Sequence, residues 1–423
     1  YPINYYLISA AVSDYQDYSI YARPSDYQDS ILIQNFIYDV PGCLEFYKND
    51  IDITIDLIEL FSDLYGLYPF HKEKYGHCLT KMPGGMEHQT MATMGYFNFE
   101  LTAHELGHQW FGDNVSCATW SDIWINEGFA TYTEYLAYQF LKGQDDADNW
   151  MKNKRNAVFS EPGGSVYIPP MQISISNPQR IFDGRLSYKK GAILLHMIRF
   201  ELQDDNLFFD VLKQFQKEFQ DSVATGMDLK SVLENVSGQS FQLFFDQWYF
   251  GEGYPIYDIR WKQKSDTLLF SSEQTTSSDA TPFFNMLMEY GLKFYDGSDT
   301  LIRLRQASNF EEYRIPIQKK VSEFLLDPKM KVLATGTVRK IIDGNDQSLF
   351  TMSPNPCIDY LDIEFSRLNV SPEKQISLFN ILGQKIAEFQ CYDMNIQINT
   401  SSLESGLYFI NVQAGEKFMS GKF

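Results

Sequence analysis

The feature that most narrows the folds open to this chain is His104-Glu-Leu-Gly-His108. Histidines four apart lie one turn above each other on a helix, so both imidazoles can reach one ion. A catalytic zinc takes three protein ligands and keeps a fourth position for water, so one more ligand has to come from elsewhere. Glu127, in Trp124-Ile-Asn-Glu127-Gly-Phe-Ala130, supplies it, and 131–141 continue as a helix that can pack beside the first. Glu105 projects about 100° round the helix from His104, too far to join as a ligand but well placed beside the water. It reads as the general base: zinc draws the pKa of water towards about 7, and a carboxylate can take the proton and pass it to a leaving amine. The five-residue pattern alone also arises by chance on amphipathic helices. The third ligand on its own predicted helix, with Trp110, Phe111, Trp120 and Trp124 between as packing residues, favours one zinc per chain. Glu134, two turns beyond Glu127 on the same face, reads either as a carboxylate orienting a ligand histidine or as an exposed surface group.

With 423 residues, 44% of them hydrophobic, the chain can fill roughly three cores of about 150 residues. The expected class is multidomain α+β. Residues 1–30, rich in tyrosine and β-branched types, read as strands ending an upstream β domain. Helical spacing runs through Ile51, Ile55, Ile58 and Phe61 and returns over 188–203, 206–220 and 228–236, giving a helix-rich domain over 31–253. After Gly253 the period changes to alternation, which predicts a small β-sandwich over 254–338. A polar linker at 339–350, centred on Asp343-Gly-Asn-Asp-Gln-Ser348, precedes a second β block over 351–423.

Lysine and arginine number 35 against 55 acidic residues, a formal net charge of -20 that repels phosphate backbones and anionic lipid surfaces and argues against nucleic acid as a partner. No apolar run approaches the roughly 18 residues of a membrane span, so none is expected. The chain begins at Tyr1 without an initiator methionine or a signal-type segment, and is expected to be a fragment of a longer precursor. Cys43, Cys78, Cys117, Cys357 and Cys391 are too scattered for a disulfide framework or a thiolate zinc site.

His104-Glu-Leu-Gly-His-Gln-Trp-Phe-Gly112 read together with Trp124-Ile-Asn-Glu-Gly-Phe-Ala130 resembles the gluzincin aminopeptidases related to aminopeptidase N. The resemblance implies a thermolysin-like catalytic fold over 31–253, zinc, and peptide substrates with a free N-terminal amine. Gly84-Gly-Met-Glu-His88 looks like the family's Gly-x-Met-Glu-Asn motif, which assigns substrate binding to Gly85, Met86 and Glu87, the glutamate facing the α-amine. Taken alone, Glu87 is an ordinary turn carboxylate. Ile181-Phe-Asp-Gly-Arg-Leu-Ser-Tyr188 is similar to the segment whose tyrosine stabilises the oxyanion, a role that falls on Tyr188; taken alone it is one of 27 tyrosines. His88 departs from the family's asparagine, the segment from Glu87 to His104 is shorter than in better-known members, and of the family's other domains the upstream β domain is expected to be mostly absent here and the C-terminal helical domain of many relatives missing.

Ser353-Pro-Asn-Pro-Cys-Ile-Asp-Tyr-Leu361, Ser377-Leu-Phe-Asn-Ile-Leu-Gly-Gln384 and Leu403-Glu-Ser-Gly-Leu-Tyr-Phe-Ile410 resemble the C-terminal sorting domain of type IX secretion in Bacteroidetes. That implies the secretion machinery as a partner, and a secreted or cell-surface location. A generic β-sandwich binding module is the alternative there. For the whole chain the rivals are a thermolysin-type endopeptidase, which cleaves blocked peptides, and an inactive surface-binding protein on a peptidase scaffold.

Overall fold

The computed structural model describes residues 1–341, 350–365, 373–415 and 417–423. They divide into two units, Tyr1–Lys340 and Ile341–Phe423, each built on its own core.

The first unit starts with a hairpin, β1 (Tyr15–Ala22) antiparallel to β2 (Ile31–Tyr38), in register from Tyr15 opposite Tyr38 to Ala22 opposite Ile31. The domain boundary expected at residue 30 therefore falls inside a hairpin, and 15–22 belong to the sheet that carries the site. Alternation announces a strand but not its partner. What fixes β1 here is pairing with β2 and the reach of Tyr15, whose hydroxyl donates to the Leu79 carbonyl at 2.9 Å.

Two helices follow, α1 (Cys43–Asp52) and α2 (Thr54–Tyr65), and α2 buries Leu57, Ile58, Phe61 and Leu64 at the three-to-four spacing seen in the sequence. They carry the chain across to β3 (Tyr75–Leu79), parallel to β2, then to β4 (Gly85–Met86) and β5 (Ala92–Met94). The sheet order is β1-β2-β3-β5-β4, which leaves β4 on the edge. β2 to β5 all lie inside the stretch expected to be helix-rich; β3, β4 and β5 are two to five residues long, and β3 and β5 are buried on both faces, so no alternation betrays those two.

Beyond the sheet come α3 (Phe99–Gly107), β6 (Val115–Cys117), α4 (Trp124–Ala137), α5 (Gln144–Phe159), α6 (Gly191–Leu202), α7 (Asp205–Glu218), β7 (Ser222–Ala224) and α8 (Gly226–Ser237). Every residue of α4 is buried, as expected of a helix packed on all sides. The helix foreseen from residue 188 begins instead with a π-helical turn over Gly184–Lys190, its entry fixed by the Asp183 side chain accepting from the Arg185 and Leu186 amides.

Seven strands complete this unit: β8 (Pro255–Lys264), β9 (Thr267–Thr276), β10 (Met286–Phe294), β11 (Asp299–Gln306), β12 (Phe310–Pro316), β13 (Val321–Leu326) and β14 (Thr335–Lys340). They form two sheets, β11-β10-β13 and β12-β9-β8-β14, with Phe270, Tyr290 and Phe324 packed between them. The change of period at Gly253 marks a real change of structure, yet these strands share one core with the helices. The Arg155 guanidinium donates to the Ala334 carbonyl at 2.6 Å and lies 3.4 Å from Asp327. The last strand also runs to Lys340, past the expected limit at 338. The predicted linker around 343–348 lies outside the described residues.

The second unit contains β15 (Phe350–Ser353), β16 (Tyr360–Phe365), β17 (Lys374–Phe379), β18 (Lys385–Cys391), β19 (Asn395–Asn399), β20 (Phe409–Ala414) and β21 (Lys417–Lys422). Sheets β15-β16-β19 and β18-β17-β20-β21 close on Leu361, Ile363, Ile376, Leu378, Ile410 and Val412, a sandwich with its own apolar centre. All five cysteines are free thiols, and among the described residues no helix is long and apolar enough to cross a membrane.

Candidate active site and metal centre

The centre is built from two helices that meet closely. Asn98 caps α3, its side chain accepting from the Leu101 amide at 2.7 Å, and His104 and His108 follow on one face. Their Nε2 atoms lie 3.1 Å apart, and Oε2 of Glu127, from the first turn of α4, lies 3.7 Å from the former and 3.4 Å from the latter. The remaining ring nitrogens settle the tautomers. Nδ1 of His104 faces Oε1 of Glu134 at 2.8 Å and Nδ1 of His108 faces the Phe111 carbonyl at 3.1 Å. Both partners only accept, so both Nδ1 atoms carry hydrogen and, in the neutral rings, both Nε2 atoms present lone pairs. Two lone pairs and a carboxylate oxygen thus converge, an arrangement a cation satisfies. A tetrahedral zinc with arms of about 2.0–2.1 Å has ligand-to-ligand edges of about 3.4 Å, so these donors fit it in kind, number and spacing.

The electrostatics agree. Burial alone lowers the pKa of both histidines, but Glu127 and Glu134 outweigh it at His104, which stands well above its ordinary value. Against the same burial, Glu87 and Glu127 lift His108 to about 9. Burial would raise Glu127, yet His108 and His104 hold it down at about 2. The cluster attracts positive charge.

Glycines let the elements approach. A Cβ on Gly107 would meet the Thr133 side chain at 3.0 Å, and one on Gly128 would meet the backbone of Gly191 at 3.1 Å. The first contact seats α3 on α4 and the second seats α4 on α6. Glu127 adjoins Gly128 and Tyr188 lies just before Gly191, so the crossing brings the Tyr188 phenol beside the Glu127 carboxylate. Its ring lies nearly parallel to that of His104, with centroids 6.0 Å apart. Burial, then Glu127, keeps the phenol protonated by raising its pKa. Glu134 is buried and multiply held: besides His104 it accepts from Nε1 of Trp150 at 2.9 Å and pairs with Lys154 at 3.1 Å. Of the two readings open for it, the exposed surface group is excluded.

Glu105 is only 4% exposed, and burial pushes its pKa up to about 7, partly offset by the two histidines. Its Oε2 has no hydrogen-bond partner among the described residues. The carboxylate lies against Gly85 on edge strand β4, where any Cβ would overlap it. Glu87, two residues on, is buried and gathers with Glu105 and His108, their ligand atoms all within 4.8 Å. Gln109 was not singled out from the sequence, yet it holds this loop: its Oε1 accepts from the Thr90 amide at 2.9 Å, and its Nε2 donates to the Glu87 carbonyl at 3.3 Å. Gln109 stands in the turn just past the end of α3, and nothing in its sequence setting marks it out. His88 bonds the Thr93 hydroxyl at 2.7 Å. One cleft of about 990 Å³ is lined by Gly85, Met86, Glu87, His104, Glu105, His108, Glu127, Glu134 and Tyr188 together.

Residues 86–248 match the family described as Peptidase family M1 domain, and 351–423 match the Secretion system C-terminal sorting domain. Both matches fall on the segments that carry the resemblances in the sequence. An Aminopeptidase N of Lactococcus lactis subsp. lactis is 33% identical over 180 residues, 41% of this chain and 21% of the relative. A Probable aminopeptidase 2 of Sulfurisphaera tokodaii is 30% identical over 246 residues, 51% of this chain and 30% of its own length. The chain thus spans less than a third of either relative. Among solved structures, Legionella pneumophila aminopeptidase A in complex with aspartic acid aligns with TM-score 0.65 and 14% identity, over 77% of this chain and 38% of that one. That likeness concerns the fold.

Proposed function

We propose that this chain, with its M1-type peptidase domain, is a zinc-dependent aminopeptidase that removes N-terminal residues from peptides and is exported by type IX secretion to the cell surface or beyond. The observation that carries the reading is Glu87, a buried carboxylate gathered with Glu105 and His108 beside the converging donors of His104, His108 and Glu127. A desolvated carboxylate there, on a loop whose Glu87 carbonyl accepts from Gln109, selects an ammonium one residue away from the bond to be cut.

Zinc, held by His104, His108 and Glu127, supplies Lewis acidity and eases loss of a proton from water. The chain's own groups do the rest. Glu87 takes the substrate ammonium, which orients the first peptide bond. Glu105, its acidity moved near neutrality, accepts the proton of the attacking water and hands it to the departing amine. Tyr188, kept protonated, donates its O–H to the oxyanion that develops, a contribution of about 3 to 4 kcal/mol in comparable sites. Glu134 holds His104 in the tautomer that ligates. For the second unit, the match to a secretion sorting domain supports recognition by the export machinery.

The test compares initial rates on free-amine and N-acetylated aminoacyl coumarins, with and without a zinc chelator. Cleavage confined to the free-amine set and abolished by the chelator is expected. Turnover of the blocked set at similar rates would make the protein an endopeptidase, and no turnover by zinc-loaded, folded protein would make it a binding scaffold.

A further inference from the structure

The cleft has a direction. Glu87 and Glu105 cluster at the His108 end of α3, whereas Glu134 bonds His104, and Lys154 links it to Glu100 in the helix's first turn. On the aminopeptidase reading, on which this inference rests, the substrate amine lies at the His108 end and the residue after the cut bond at the Glu100 end. The side chain of the first residue then faces whatever borders the Glu87 end.

That border is aromatic. Tyr6 lies near Glu87, whose charge adds to burial in raising the phenol's pKa, and Asn126 donates to the Tyr6 hydroxyl at 3.4 Å. Asn126 adjoins Glu127, and one and two helical turns back along the same segment stand Ile123 and Trp120. Phe182 meets the Trp120 ring edge to face, centroids 6.0 Å apart. Trp120 is 38% exposed and Phe182 45%, so both keep apolar surface open within the cleft.

The charges of the cleft are already matched. Its wall carries five carboxylates. Glu127 serves the metal, Glu105 the water and Glu87 the amine. Glu134 is held by His104, Trp150 and Lys154, and Glu100 by Lys154 at 2.6 Å. None is left to pair with a basic first side chain, and no lysine or arginine among the described residues lines the cleft to receive an acidic one. A charged side chain there would be desolvated without a partner.

We propose that the first-residue subsite is an aromatic wall of Trp120 and Phe182 that selects large uncharged side chains, phenylalanine and leucine above alanine, and rejects both acidic and basic ones. The test is kcat/KM of the zinc-loaded full chain on free-amine coumarins of Phe, Leu, Ala, Asp, Glu, Lys and Arg. Phe and Leu should exceed Ala by about tenfold and the charged residues by about a hundredfold. Phe182→Ala should shrink the Phe-to-Ala ratio about tenfold, Trp120→Ala should move it the same way, and Phe182→Leu should keep most of it. Both residues are partly exposed, so melting temperatures should stay near that of the parent. Preference for Lys, Arg, Asp or Glu among cleaved free-amine substrates would overturn the subsite while leaving the aminopeptidase intact, as would a ratio unmoved in both alanine variants. Cleavage of acetylated substrates alone would overturn the aminopeptidase and the subsite with it.

Discussion

Glu105 owes its position to the residue beneath it. The carboxylate occupies the space a side chain on Gly85 would need, so the edge strand can carry the base's support only as glycine. Gly85→Ala should therefore displace the base and lower kcat/KM about a hundredfold, as expected for a misplacement near 1 Å, with circular dichroism and zinc content unchanged. Unchanged kinetics would show that the carboxylate works from elsewhere. That His104 and His108 face one another was legible from spacing alone, because the distance between them is a property of any helix. Gly85 was legible only through resemblance, since the reason for the missing side chain is a contact with a residue on another element. Gln109 left even less trace: nothing in a glutamine announces that it will clamp a loop some twenty residues upstream.

At the scale of elements, the site is a crossing of helices. α4 meets α3 at Gly107 and α6 at Gly128, and each crossing delivers a functional side chain. α5 contributes from behind, bringing Trp150 and Lys154 to the oxygen of Glu134 that His104 does not use. Glu134→Gln would keep the shape but weaken the hold on the ligand tautomer, and should raise the zinc dissociation constant about 10- to 100-fold in a chelator competition assay. An unaltered constant would reduce Glu134 to a packing residue. α5 escaped the sequence reading because its buried Ala147, Trp150, Met151 and Val158 sit among aspartates, asparagines and lysines that mask the helical period. The boundary at residue 30 failed for a different reason: β1 shows its alternation plainly, but pairing with β2 across a hairpin is a tertiary fact. Strands such as β8 and β12 after Gly253 were legible because their two faces alternate in burial.

For the whole molecule, burial of neutral histidines sets a limit on the acid side. His77 sits in the sheet, wholly buried, its Nδ1 donating to Asn35 Oδ1 at 2.7 Å, and burial drives its pKa down to about 3. The folded value lies below the unfolded 6.5, so the unfolded chain binds the proton more readily and stability falls as pH drops below about 6.5. Between pH 7 and pH 5 this one residue should cost about 2 kcal/mol, to be read as the part of the loss in chemical-denaturation stability that His77→Gln removes. A pH dependence identical in the variant would contradict the assignment. His196, buried and likewise depressed, adds in the same direction.

The central claim is that His104, His108 and Glu127 gather three electron-rich atoms around one catalytic cation. It is tested most directly by stripping the full chain of metal and titrating zinc back while recording bound metal and hydrolysis of a free-amine substrate together. The account predicts activity rising in proportion to zinc and levelling at one ion per chain, with no such binding step after Glu127→Ala. Full activity in the stripped protein, or a plateau unrelated to one equivalent, would contradict it.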